Sequence, residues 1–231
     1  MGKSFSFMAN LLTGLSLFCG FFSTILSLGG HFTFSSYAIM LSVVLDGLDG
    51  QIARKNKSSS DFGKEFDSLV DVVSFGIAPV LLGYTFIYSR FHLLVAAGLF
   101  IYLLSAIIRL ARYNIAKQPE NNCFTGLPTT VSGGILASFV LIFSSKGDVV
   151  LPKFVPVTSA GLVLLLTYLM VSRIRYLNLN GLKLLFGSKV KLAILVLFIL
   201  LSLALYWDKI GVTLFCISLI YLIFSPFVVK G

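Results

Sequence analysis

Asp46 and Asp49 stand three residues apart and Asp67 and Asp71 four apart, with a Gly- and Arg-containing segment between the pairs, inside strongly apolar sequence. On helices, both spacings put each pair on one face. Two helix ends would thus present four carboxylates together. Six of the nine acidic residues fall between Asp46 and Asp71. An ionised side chain at bilayer depth costs about 2.5–3.5 kcal/mol or more, and those that persist there pair, bind ions or do chemistry. Four carboxylates at such proximity repel, and Arg54 alone cannot neutralise them, whereas hard divalent cations take oxygen ligands readily. Magnesium or manganese suits an all-oxygen site whose shell is completed by substrate phosphates, and two bound ions match four carboxylates. The absence of nearby His and Cys argues against zinc or copper.

The elements that must position these groups follow from composition. Hydrophobic residues make up 57% of the 231-residue chain and charged residues 12%, with a mean hydropathy of +0.97. This is the signature of an integral membrane protein. Spanning helices need about 17 to 25 apolar residues, which predicts an all-α, polytopic bundle of about eight transmembrane helices at roughly 8–28, 33–53, 66–88, 91–112, 127–145, 153–172, 189–206 and 211–228. The first is preceded by a single lysine, Lys3, and lacks a small-residue cleavage site, so it is expected to remain as a structural helix. Gly47, Gly50 and Gly63 are expected near the turns where the chain leaves the second helix and enters the third. The polar KNKSSSD run between them can lie at the interface and return Asp67 toward Asp49. No soluble domain or internal repeat is visible, so residues 1–231 read as one helical domain.

Charge asymmetry gives an orientation. Fourteen of the 18 Lys and Arg residues fall at the termini and in the loops on the side of the acidic cluster. The positive-inside rule then places both termini and the aspartates at the cytoplasmic face. The net charge of +9 does not point to nucleic acid, because the basic residues are spread over membrane-flanking loops with no basic soluble domain. Anionic lipid headgroups are the better partners. Cys19, Cys123 and Cys216 are widely spaced and lack metal-site spacing, and His31 and His92 fall in outer loops. Acid and base work at the acidic face therefore falls to carboxylates.

At these residues the chain resembles the CDP-alcohol phosphotransferase family, whose signature D-x2-D-G-x2-A-R-x8-G-x3-D-x3-D is matched at Asp46, Asp49, Gly50, Ala53, Arg54, Gly63, Asp67 and Asp71. Eight fixed positions within 26 residues make a specific pattern. The resemblance implies a six-helix catalytic core at about 8–172, with two accessory helices at about 189–228, usually assembled as a homodimer in the membrane. It also implies two divalent ions held by the aspartates and transfer of a phosphatidyl-type group from a CDP-linked lipid to an alcohol, with CMP leaving. Asp46, Asp49 and Asp67 would be metal ligands, and Asp71 both a ligand and the catalytic base. Asp49, Gly50, Ala53, Arg54 and Gly63 would border the CDP moiety.

The stretches DSLVDVVSFGIAP, RLARYN, FTGLPTT and LMVSRIRYL are similar to the bacterial and archaeal phosphatidylserine synthase branch of that family. The branch implies CDP-diacylglycerol as donor and L-serine as acceptor in a prokaryotic cytoplasmic membrane, with another acceptor alcohol (glycerol phosphate, inositol) or an ether-lipid donor as alternatives. Arg109 or Arg112 could clamp the serine carboxylate, and Asn114, Thr129 and Ser132 could supply polar contacts. The chain departs from the branch at Ala9 and Ser16, where its members tend to carry proline and asparagine. An intramembrane prenyltransferase would need a second Asp-rich motif, and outside 46–71 the only aspartates are Asp148 and Asp208. A cation transporter remains as a non-enzyme alternative, although such ion sites favour the bilayer midplane and repeated halves. The Leu-, Ile- and Phe-rich last two helices are expected to be peripheral, packing against lipid.

Overall fold

Within a bilayer every backbone N–H and C=O must be satisfied inside the protein, so long apolar segments become helices. The computed structural model describes residues 2–55, 61–87, 92–115, 123–144, 154–177 and 209–230. Helices α1 (Gly2–Leu28) and α2 (Phe32–Lys55) form an antiparallel pair turned at Gly29–His31. A third span combines α3 (Asp61–Asp71), a π-helical segment (Val72–Ile77) and α4 (Ala78–Ile87). Then come α5 (His92–Ile115), strand β1 (Cys123–Thr125), α6 (Thr129–Ser144), α7 (Val155–Val171), strand β2 (Arg175–Leu177) and α8 (Ile210–Lys230). Five of these segments are long and apolar enough to cross a membrane. The expected helix at 189–206 lies outside the described residues.

Several boundaries differ from the sequence reading. Helix α2 does not turn at Gly47 or Gly50 but runs through both to Lys55, and the third span begins at Asp61 rather than near 66. Helix α7 has 17 residues, about 26 Å at 1.5 Å per residue, short of the ~30 Å hydrocarbon thickness. In α6, 11 of the described residues are buried, so neighbouring helices surround much of it.

Helix α6 is the axis on which two apolar clusters meet. Toward the acidic end, Ile135 and Leu136 join Leu99 and Tyr102 of α5, Leu166 and Met170 of α7, and Tyr176 of β2. Toward the other end, Ala137, Phe139 and Val140 join Ile39 of α2 and Leu82 and Phe86 of α4. Across the α1–α2 seam, small residues let the helices approach and hydroxyls join them. Ser16 Oγ lies 2.7 Å from Ser42 Oγ, and Ser23 Oγ 2.8 Å from Ser35 Oγ.

The π segment follows Asp71 directly and is gripped from several sides. The Ala78 N–H reaches back to the Val73 carbonyl, the five-residue step that defines it. A Cβ on Gly20 of α1 would lie 2.7 Å from Ser74 Cα, and one on Gly133 of α6 would lie 3.2 Å from Phe75 Cα. The Tyr102 hydroxyl donates to the Phe75 carbonyl (3.1 Å), taking an acceptor in this irregular stretch.

The all-α expectation holds, with one addition that runs of three residues could not announce. Strands β1 and β2 pair antiparallel, with Phe124 opposite Tyr176. Immediately after β1, Gly126 has φ +79° and its N–H donates to the Ile174 carbonyl (2.8 Å), while a Cβ there would collide with the Met170 carbonyl oxygen. Only glycine takes that conformation and that closeness together. The strand pair thereby fixes how the chain enters α6.

Candidate active site

Helix α2 carries Asp46 and Asp49 one turn apart, and α3 brings Asp67 to meet them. One carboxylate oxygen from each of the three lies within 4.8 Å of the other two. Asp49 is the most enclosed, only 5% exposed. Asp71, one turn beyond Asp67, is partly buried and within electrostatic reach of Asp46, Asp67 and Arg109. Its Oδ1 is buried with no hydrogen-bond partner among the described residues.

Three threonines orient these carboxylates. The Thr13 hydroxyl of α1 lies 2.8 Å from Asp49 Oδ2 and 3.0 Å from its own helix carbonyl at Ala9. It has one proton, and the charged acceptor is the stronger partner. Thr130 Oγ1 donates to Asp46 Oδ2 (3.2 Å), and Thr129 Oγ1 approaches Asp71 Oδ2 (3.5 Å). Thr129 in turn accepts from Arg109 Nη1 (3.2 Å), so guanidinium, hydroxyl and carboxylate form one directed chain. Sequence alone does not single out Thr13 and Thr130. They stand 36 and 84 residues from the aspartates they hold, and no periodicity links such positions, although Thr130 closes the FTGLPTT stretch.

The other expected residues fall as follows. Gly50 and Ala53 are half-buried on α2 and Gly63 half-buried on α3. The space a Cβ on Gly47 would occupy has no atom within 4 Å. The backbone of Arg54 belongs to α2, and its side chain lies outside the described residues. Arg109 is 8% exposed, and its Nε has no hydrogen-bond partner among the described residues. Ser132 is fully buried one turn into α6. Arg112 is exposed and donates to the Val171 carbonyl at the end of α7 (3.0 Å), and exposed Asn114 donates to Ser68 Oγ (2.9 Å). Of the five, Arg109 and Thr129 are therefore the ones drawn to Asp71 by hydrogen bonds.

The donor set fits a divalent cation. It consists of carboxylate oxygens alone, three of which already converge, and the unpartnered Asp71 Oδ1 could be satisfied by a cation or by a substrate hydroxyl. Such a site, built at one end of a membrane-embedded helical bundle, defines an integral membrane protein with a carboxylate-lined centre that could hold a metal ion.

The comparisons with known proteins narrow that class. A profile of the family described as CDP-alcohol phosphatidyltransferase matches residues 6–171, and the chain belongs to that family. Its members generally use divalent metals. The chain is similar to the CDP-diacylglycerol–serine O-phosphatidyltransferase of Helicobacter pylori J99, 35% identical over 83% of this chain and 78% of the relative. It is also similar to the archaetidylserine synthase of Methanothermobacter thermautotrophicus, 34% identical over 77% and 72%. A CDP-diacylglycerol–serine O-phosphatidyltransferase from Methanocaldococcus jannaschii is 37% identical over 60% of this chain and 61% of its own.

Proposed function

We propose that this protein transfers the phosphatidyl group of CDP-diacylglycerol to the hydroxyl of L-serine, forming phosphatidylserine and releasing CMP. The observation that carries the reading is the junction of the Asp46–Asp49–Asp67 cluster with the Asp71–Thr129–Arg109 chain. The cluster suits a cation-bound diphosphate, and the chain suits a zwitterionic alcohol beside it. Asp46, Asp49, Asp67 and Asp71 would hold two ions, magnesium or manganese. Bound there, they would supply neutralisation of charge on the leaving CMP and orientation of the phosphorus.

The chain's own residues do the rest. Gly50, Ala53 and Gly63 leave room for the nucleotide, and Arg54 belongs to the same donor end. Thr13, Thr130 and Thr129 fix the rotamers of the carboxylates they touch, so the site needs little reorganisation when substrates arrive. Asp71 takes the serine hydroxyl proton as the serine oxygen bonds to the lipid-bearing phosphorus and the phosphorus–oxygen bond to CMP breaks. Arg109, with Nε available, grips the serine carboxylate, and Ser132 lies one turn deeper on α6. Arg112 and Asn114 would then act at the rim of that pocket. We assign residues 8–172 to the catalytic core and the last two helices to an accessory role, all within a single domain. The protein would lie as a homodimer in a prokaryotic cytoplasmic membrane, with the aspartates and both termini on the cytoplasmic side, where the basic residues concentrate.

Purified protein supplied with CDP-diacylglycerol, manganese or magnesium, and labelled serine should form labelled phosphatidylserine. Product with glycerol 3-phosphate or inositol in place of serine would change the acceptor, and no lipid product with any alcohol would remove the transferase reading. Within this scheme Arg109→Lys should raise KM for serine about tenfold while KM for the donor stays within about twofold, because an ammonium cannot reproduce a planar two-pronged grip. Equal changes in both KM values would refute the clamp.

A further inference from the structure

Helix α8 lies beyond the family-matched segment, and one side of it is apolar and open: Ile220, Ile223, Phe224 and Phe227 are all exposed. Two polar residues on its other face do something more specific. Ser225, only 3% exposed, accepts the Leu177 N–H at its Oγ (2.6 Å), and the Tyr221 hydroxyl donates to the Leu177 carbonyl (2.8 Å). Both backbone groups of one β2 residue are thus satisfied by one helix. Tyr221 also stacks on the buried Tyr176 ring, with centroids 6.1 Å apart.

From Leu177 a short route leads to the site. Strand β2 pairs with β1, and the next residue, Gly126, donates to Ile174 just before β2, while Leu127 donates to the Leu169 carbonyl (3.0 Å). Thr129, which joins Arg109 to Asp71, follows two residues later. The phenol of Tyr221 is itself within electrostatic reach of the Arg109 guanidinium.

We propose that Tyr221 and Ser225 are positioning residues for the acceptor end of the active site, clamping Leu177 so that the strand pair holds Thr129 and, through it, Arg109 and Asp71. The donor end rests on α1, α2 and α3, whereas the clamp acts on β2. The inference rests on the serine-transfer reading, and the two are separable by experiment. In the whole chain in detergent or vesicles, Tyr221→Phe combined with Ser225→Ala should raise KM for serine about tenfold and leave KM for CDP-diacylglycerol within about twofold, consistent with the loss of two part-buried hydrogen bonds. Ser225→Thr in the Tyr221 background keeps an acceptor hydroxyl and should retain the wild-type KM for serine. Ser225→Ala alone, the milder variant, should show a smaller rise of the same kind. The effects should also be non-additive with Arg109→Lys in KM for serine, since the residues act through one chain. Equal shifts in both KM values, additive behaviour with Arg109→Lys, or a lowered thermal midpoint with no change in serine KM would overturn the proposal. Failure of the unaltered protein to use serine would instead overturn the reading beneath it.

Discussion

Asp71→Asn is expected to lower turnover by about a thousandfold, the scale of a lost general base, while CDP-diacylglycerol still binds. The substitution keeps the side chain's size and its oxygen facing Thr129, so packing around the third span is preserved. What disappears is the negative oxygen at the buried Oδ1 position, to which no group donates among the described residues. An amide there cannot take the proton of the attacking hydroxyl. Turnover and equilibrium binding of the donor, measured on the same preparation, separate the two effects. Near wild-type turnover would refute the role of base, and loss of donor binding in proportion to turnover would make Asp71 chiefly a ligand.

Asp49→Asn should be nearly as damaging through a different step. Asp49 is the most enclosed carboxylate of the converging three, and its second oxygen is engaged by Thr13. Removing its charge should weaken manganese binding at least about a hundredfold, with donor affinity falling in step. Thr13→Val leaves the charge and loses only the orienting hydroxyl, so a fall of about tenfold is expected, the lower end for outer partners of a ligand. Manganese titration followed by electron paramagnetic resonance reads this without any turnover. Unchanged manganese affinity in Asp49→Asn would sink the assignment of that residue as a ligand.

The part of the site that was legible in the sequence is the part governed by local geometry. Two pairs of aspartates at helical spacing announce two acidic helix faces, and the polar segment between them is long enough to bring those faces together, as the convergence of Asp46, Asp49 and Asp67 bears out. The apolar runs likewise gave the bundle, because a bilayer leaves the backbone few alternatives. What could not be read is what depends on tertiary proximity. Thr13 and Thr130 look like ordinary hydroxyls on apolar helices until α1 and α6 are placed beside α2. Arg109 and Arg112 are alike in sequence, three residues apart, yet one is buried toward Asp71 and the other caps the end of α7. Helix α8 reads as lipid-facing from its composition, and Ile220, Ile223, Phe224 and Phe227 are indeed exposed; the clamp on Leu177 needs only two side chains. Neither the strands nor the π segment has a period long enough to register.

That π segment has a mechanical corollary. An ordinary helix advances by about 100° per residue, so the wider turn at Val72–Ile77 sets the azimuth of Asp67 and Asp71 apart from that of Ala78–Ile87. The third span behaves as two rods coupled with a fixed phase offset: the inner rod is keyed to the apolar interior through Leu82 and Phe86, the outer one to the aspartates of α2. Excising one residue from the coupling would let the rods merge into a single regular screw, at the cost of turning the outer carboxylates away from their partners.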